Sequence, residues 1–214
     1  MARKRVAILI SGRGSNMVAL IEAAKEPSYP AEVALVVSNE PAAQGLQRAA
    51  AAGIRTAVID HRKFGKDREA FDRALQAELQ AHQIELVCLA GFMRLLTPWF
   101  VRQWDGRLIN IHPALLPAFK GLDTHARALA AGAREHGATV HFVVPEMDSG
   151  PIIAQAAVPV RSGDTEATLA ARVLEVEHRI YPQALRWVAE GRVRVADGRC
   201  LIDGQPAALK PPPA

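Results

Sequence analysis

Short apolar runs alternate with segments whose apolar residues recur every three or four positions along most of this chain. Val6 to Ile10 is the first run, and it leads through Ser11-Gly12-Arg13-Gly14-Ser15-Asn16 into Met17 to Lys25, which has helical composition. That pattern predicts a strand, a glycine loop and a helix. Ala31 to Ser38 predicts a second strand, Pro41 to Ala52 an alanine-rich helix stopped by Gly53, and Ala57 to Ile59 a third strand. Beyond a polar loop from Arg62 to Asp67, Arg68 to His82 carries Phe71, Leu75 and Leu79 at fourfold spacing, a helix ahead of the strand Leu86 to Ala90. Gly91 breaks that run, Phe92 to Leu96 follows, and Thr97-Pro98 suits the N-cap and first turn of a helix reaching about Trp104.

Leu108 to His112 is another apolar strand, but Asn110 and His112 interrupt it two positions apart, on one face. A buried amide and imidazole cost roughly 1–3 kcal/mol each without hydrogen-bond partners, so the pair is either internally satisfied or aimed into a cleft. Pro113 ends the strand. His112 therefore sits at a strand's carboxyl end, where open α/β sheets bind ligands. A Pro-rich loop from Pro113 to Gly121 leads to a helix from Thr124 to Ala133, and Ala138 to Val144 and Pro151 to Val160 predict an antiparallel hairpin. Asp164 is a candidate cap for a helix reaching about Glu190, with Leu169, Val173, Val176 and Ile180 as its apolar stripe and a kink at Pro182. Two weak strands, Val193 to Val195 and Cys200 to Ile202, precede a Pro-rich tail over 206–214 that reads as disordered. The order predicts an α/β fold: a Rossmann-like, mostly parallel twisted sheet with helices on both faces and an antiparallel carboxyl-terminal portion, in one domain over 1–205.

Composition agrees and narrows the function. The 214 residues are 50% hydrophobic and 22% charged, enough for a large core. The net charge of +4 is scattered, with its densest cluster at Arg3-Lys4-Arg5, which suits small anionic ligands rather than nucleic acid. Two cysteines, Cys88 and Cys200, support neither a disulfide framework nor a CxxC metal site, so a reducing cytoplasm is expected and no metal. No apolar run reaches the roughly 18 residues of a membrane helix, and no signal-peptide pattern opens the chain.

The loop Gly12 to Asn16 lies where a helix start offers free N–H groups and a positive dipole end, which reads as a phosphate site; an ordinary turn capped by Ser15 or Asn16 is the alternative. No GxGxxG is present, since Met17 stands where the third glycine belongs, and no P-loop Gly-Lys-Ser/Thr follows. Asn110, His112 and Asp148 together hold the parts for acyl transfer to an amine. An amide N–H and an imidazolium can stabilise an oxyanion, and a carboxylate can hold the imidazole cationic and take the amine's proton. Structural roles for His112 and Asp148 stay open at this point, because the sequence does not show that residues 36 positions apart meet.

Five motifs carry a resemblance to the phosphoribosylglycinamide formyltransferases, folate-dependent enzymes of purine synthesis: Ser11-Gly12-Arg13-Gly14-Ser15-Asn16, Leu89-Ala90-Gly91-Phe92-Met93-Arg94, Asn110-Ile111-His112-Pro113-Ala114-Leu115-Leu116-Pro117, His141-Phe142-Val143 through Asp148-Ser149-Gly150-Pro151-Ile152-Ile153, and Glu177-His178-Arg179-Ile180-Tyr181-Pro182. The resemblance implies that Asn110, His112 and Asp148 are catalytic, that Gly14, Ser15 and Asn16 hold the substrate phosphate, and that Glu177 contacts the ribose. It further implies a 10-formyltetrahydrofolate cosubstrate in a cleft between Phe92-Met93-Arg94-Leu95-Leu96 and Val144-Pro145-Glu146-Met147-Asp148, with its pterin bonded largely by backbone and Arg68 at its glutamate tail. The partners are then glycinamide ribonucleotide and folate, with no nucleic acid or membrane, in a monomer or homodimer. Ala114 stands where many relatives have Ser, and Lys120 where some have Pro; neither touches a proposed chemical role.

Four rivals bound this reading. A formyltetrahydrofolate deformylase passes the formyl group to water and usually carries an amino-terminal regulatory domain, for which a first strand within six residues of Met1 leaves no room. A methionyl-tRNA formyltransferase would need a carboxyl-terminal RNA-binding domain. A dinucleotide-dependent oxidoreductase fits the fold alone and lacks its third glycine, and a noncatalytic phosphate-binding module predicts that His112 tolerates change.

Overall fold

A computed structural model describes residues 2–207 of the chain. They divide into two compact units with the boundary after Asn110.

In the first unit, β1 (Lys4–Ile10), β2 (Ala31–Ser38), β3 (Thr56–Val58) and β4 (Leu86–Leu89) alternate with α1 (Ser15–Ala24), α2 (Gln44–Ala51) and α3 (Arg68–Ala81), and α4 (Pro98–Gln103) precedes β5 (Leu108–His112). All of these strand pairings are parallel, in the order β3-β2-β1-β4-β5. Val6 to Ile10 are fully buried, as a parallel strand covered on both faces must be. Because the chain winds outward from β1 to β3 and then returns to β4 on β1's other side, the direction of winding reverses between β1 and β4. Loops leaving two such strands diverge and open a crevice at their carboxyl ends.

Local chemistry fixes the helix starts. Asp67 caps α3 through Ala70 N at 2.9 Å, and Thr97 caps α4 through Phe100 N at 3.3 Å with Pro98 at the first turn. The polar loop before α3 contains a 3₁₀ turn, His61–Phe64, capped by Asp60. Helix α2 starts three residues later than expected, because Pro41 and Ala42 are spent on a turn closed by Ala43 N on Glu40 O.

The second unit begins inside β5 and holds α5 (Thr124–Ala130), the antiparallel hairpin β6 (Glu135–Phe142) and β7 (Ile152–Pro159), and α6 (Glu166–Ala189). The seven strands form one mixed, mostly parallel sheet, and β8 (Val193–Ala196), β9 (Arg199–Ile202) and β10 (Gln205–Pro206) form a small antiparallel one. Helix α5 stops before Ala133, as Gly132 takes a positive φ of 62° and Ala133 N returns to Ala128 O. Strand β6 starts three residues earlier than the apolar pattern suggests, at Glu135, because Glu135 to Gly137 pair with Ala157 to Pro159. Thr165, not Asp164, caps α6, in a reciprocal capping box with Thr168. Asp164 instead holds Arg172 at 2.8 and 2.9 Å, and the guanidinium keeps its carboxyl well below the usual range. The buried face of α6 passes through Val173, Val176, Glu177 and Tyr181, leaving Ile180 half-buried, and the helix continues past Pro182. Pro206 of the expected tail pairs with Leu201, while 208–214 lie outside the described residues.

His136 is fully buried on β6, its ring edge-on to Phe119 at 5.8 Å and to His125 at 5.1 Å. Burial pushes its imidazole down to about 4, and that of His125 down as well. The unfolded chain therefore binds protons near pH 6.5 that the native state refuses, so this stability is complete above about 6.5 and drains as pH falls toward 4. The unfolding free energy from urea titration is expected to drop over that window by roughly 2–3 kcal/mol, and His136→Asn should flatten the slope. Equal slopes in the two proteins would refute the assignment.

Candidate active site

The glycine loop delivers α1 to the crevice. Gly14 occupies the N-cap position with φ 70°, donates no side-chain cap, and is followed by a first turn without acidic residues. Neither Ser15 nor Asn16 is the cap, and the positive dipole end of α1 at this loop favours an anion. A Cβ on Gly45 would fall 2.5 Å from Ile10 Cδ1, so α2 seats its own start directly against this loop. Asn16 is buried on α1.

The segment after β4 is tethered from several sides within the same unit. Arg68 donates to Leu95 O at 2.6 Å and the buried Asp72 accepts from Thr97 N at 2.6 Å. Burial raises the Asp72 carboxyl above its ordinary value. Phe92 stacks on Phe71 at 6.5 Å, and the Arg94 guanidinium lies 4.5 Å over the same Phe71 ring. Met93 and Leu95 remain 69% and 60% exposed, two large apolar side chains with Leu96 half-buried beside them. An apolar ligand would cover such a lip.

In the second unit, the chain past β5 is pinned by side chains of the hairpin. Thr139 Oγ1 donates to Ala114 O and accepts from Leu116 N, while Gln155 Nε2 donates to Leu116 O. This brings Phe119 O within 3.0 Å of His112 Nε2. Because a carbonyl only accepts, Nε2 carries a proton. Nδ1 then faces Asp148 Oδ2 at 3.5 Å, an ion-pair separation, on a ring only 7% exposed. Asp148 has φ 49° and accepts the Gly121 N–H at 2.8 Å, which fixes its carboxylate. Two residues 36 positions apart in sequence thus meet. Asn110 stands two positions before His112 on β5, half-buried among buried neighbours.

His141 is the residue that sequence reasoning quoted without giving it a role. Its Nδ1 donates to Phe142 O at 2.8 Å and its Nε2 lies 3.8 Å from Asp148 Oδ1, so the carboxylate has an imidazole on each side. Burial holds His141 below the usual histidine range. The register shift between Val140 and His141 re-aims the strand at this point; alternation of buried and exposed positions could not reveal it. Of the other expected residues, Glu177 is buried on α6, Val144 is half-buried, and Pro145, Glu146 and Met147 are exposed on the loop leading to Asp148. Among the described residues, no three His, Cys, Asp or Glu side chains are grouped to hold a metal ion, and no helix is long and apolar enough to cross a membrane.

A parallel sheet with a winding reversal, a glycine loop at a helix start and an imidazole–carboxylate pair after a strand define a Rossmann-like α/β protein equipped for acid–base chemistry. The formyl transferase family model matches residues 4–185. The chain is 48% identical to the phosphoribosylglycinamide formyltransferase of Escherichia coli (strain K12), covering 94% of each. It is 52% identical to the trifunctional purine biosynthetic protein adenosine-3 of Gallus gallus over 90% of its own length, but spans only 19% of that relative. The solved phosphoribosylglycinamide formyltransferase of Coxiella burnetii superposes with a TM-score of 0.92 at 43% identity, covering 99% of this chain and 100% of that one. The chain belongs to the formyl transferase family.

Proposed function

We propose that the chain transfers the formyl group of 10-formyltetrahydrofolate to the amine of glycinamide ribonucleotide, giving formylglycinamide ribonucleotide and tetrahydrofolate, in the cytoplasm. The observation that carries this reading is the Asp148 carboxylate facing His112 Nδ1 at 3.5 Å, in a chain that matches the Escherichia coli enzyme over nearly all of both lengths. The amine attacks the formyl carbon, and the oxyanion that forms is stabilised by an Asn110 amide N–H and a His112 ring N–H. Asp148 holds the imidazole in place from the Nδ1 side and takes the proton lost by the attacking amine, directly or through water. Collapse expels the folate nitrogen, which takes up the proton that Asp148 received from the amine, directly or through water, so that the carboxylate is restored. Nε2 is the His112 N–H not committed to Asp148, so the formyl oxygen would replace Phe119 O on it.

Gly14, Ser15 and Asn16 would hold the substrate phosphate and Glu177 the ribose. Phe92, Met93, Arg94, Leu95 and Leu96, together with Val144, Pro145, Glu146 and Met147, would contact the folate, and Arg68 its glutamate tail. The exposed Met93 and Leu95 support this, because an apolar ring system would shield them.

An absorbance assay for tetrahydrofolate formation, with and without glycinamide ribonucleotide, tests the reading. Product that requires the ribonucleotide is expected; formyl release to water at the same rate without it would mark a deformylase. Replacing Asn16 by Leu should raise KM for the ribonucleotide about 10-fold or more, in keeping with lost polar contacts to a charged group. Folate binding to the free variant should stay unchanged, and equal weakening of both ligands would refute the loop assignment.

A further inference from the structure

The formyl-transfer step leaves unused a line of polar contacts where the winding reverses between β1 and β4. Ser11 is the first residue past β1, and its N–H donates to Gly91 O at 3.1 Å. Its hydroxyl accepts the Met93 N–H at 2.7 Å and donates to Asn39 Oδ1 at 2.6 Å. The directions are forced, since an amide N–H cannot accept and a serine has one proton to give. Asn39 is 4% exposed, and its Nδ2 lies 3.2 Å from His61 Nδ1, so its amide is anchored at both ends. Ser11 therefore grips the segment after β4 at two points, with its hydroxyl backed by a buried amide.

The next residues in the chain are the phosphate loop itself. Gly12 O accepts from Gly45 N at 3.0 Å, and a Cβ on Gly45 would lie 3.1 Å from Gly12 O and 3.4 Å from Gly14 Cα. The loop has no slack against α2, and a displacement of Ser11 passes directly to Gly14.

We propose that Ser11 is a positioning residue whose hydroxyl, bridging Met93 N and Asn39 Oδ1, couples the folate-facing segment to the phosphate loop, so that each ligand raises the affinity for the other. The proposal rests on the functional reading above. A folate seated on Phe92 to Leu96 fixes the position of the Met93 N–H on Ser11 and with it the start of the glycine loop; because that loop moves together with Ser11, the second ligand then meets it already in its bound position. By reciprocity the ribonucleotide does the same for folate.

Calorimetric titration of glycinamide ribonucleotide, with and without saturating tetrahydrofolate, reads this coupling without turnover. In the wild type the folate should lower the ribonucleotide Kd at least about 5-fold, the lower end of typical couplings. Ser11→Ala should bring that ratio to about 2 or less, with the two ligand-alone Kd values changed far less than the ratio, and Ser11→Thr, which keeps the hydroxyl, should restore it. A purely structural Ser11 would weaken both ligands and leave the ratio intact. Undiminished coupling in Ser11→Ala, or two ligands that bind the wild type independently, overturns the proposal and leaves the functional reading standing. A wild type that binds neither ligand overturns the functional reading itself. Should Ser11→Ala fail to fold, hydrogen exchange on the wild type decides: ribonucleotide alone should slow the Met93 amide, and an unchanged Met93 amide overturns the proposal.

Discussion

Asp148→Asn is expected to lower kcat by about 10²–10⁴-fold, equivalent to roughly 3–5 kcal/mol of lost transition-state stabilisation, while ribonucleotide and folate affinities change little. Asparagine keeps an oxygen for the Gly121 N–H and tolerates the left-handed backbone at φ 49°, so the substitution removes the charge and leaves the turn in place. What is lost is the anion facing His112 Nδ1 and, on the other side, His141 Nε2. His112→Ala should behave alike. If carboxylate and imidazole act as a unit, the double variant should cost little more than either single one, whereas independent residues would give additive losses. Circular dichroism establishes that each variant folds, and steady-state kinetics reads the rest. A folded Asp148→Asn protein that keeps most of its formyl-transfer rate would falsify the mechanism and leave the pair as structural residues.

Gly137→Ala should lower stability sharply for a single added methyl group. Gly137 pairs with Ala157 in the β6–β7 hairpin, and a Cβ there would fall 2.0 Å from Ala156 O and 2.8 Å from Leu115 Cδ2. The first neighbour is backbone, which cannot swing aside, so the hairpin must shift. Overpacking of this kind costs about 3 kcal/mol, which lowers Tm by about 6–12 °C in a chain of this size. Because β6 carries His141 and continues into the loop of Asp148, activity should fall with stability. A Tm within a degree of the wild type would show that the hairpin yields where its geometry says it is fixed.

Much of the fold was legible because its signals are local. The buried run Val6 to Ile10, the fourfold spacing of Phe71, Leu75 and Leu79, and the Thr97-Pro98 helix start are each decided within a few residues, and each stands in the structure as the sequence predicts. Elements failed to match where a choice between neighbours depended on a distant partner. Asp164 is the better cap by residue type; Arg172, about two turns later on α6, claims Asp164 and leaves the cap to Thr165. Tyr181 rather than Ile180 completes the buried face of α6, because helix packing and not residue hydrophobicity sets which of two adjacent positions turns inward.

The same division runs through the candidate site. The residues by themselves determined that an amide and an imidazole share one face at a strand's end, that a glycine loop precedes a helix start, and that the family's motifs stand in order along the chain. Only the tertiary structure decided that Asp148 reaches His112, that His141 stands on the carboxylate's other side, and that Ser11 holds Met93. The physical reason is range: periodicity and capping act over one or two turns of chain, whereas a contact between residues 36 or 82 positions apart is fixed by strand order and register, which no local pattern encodes.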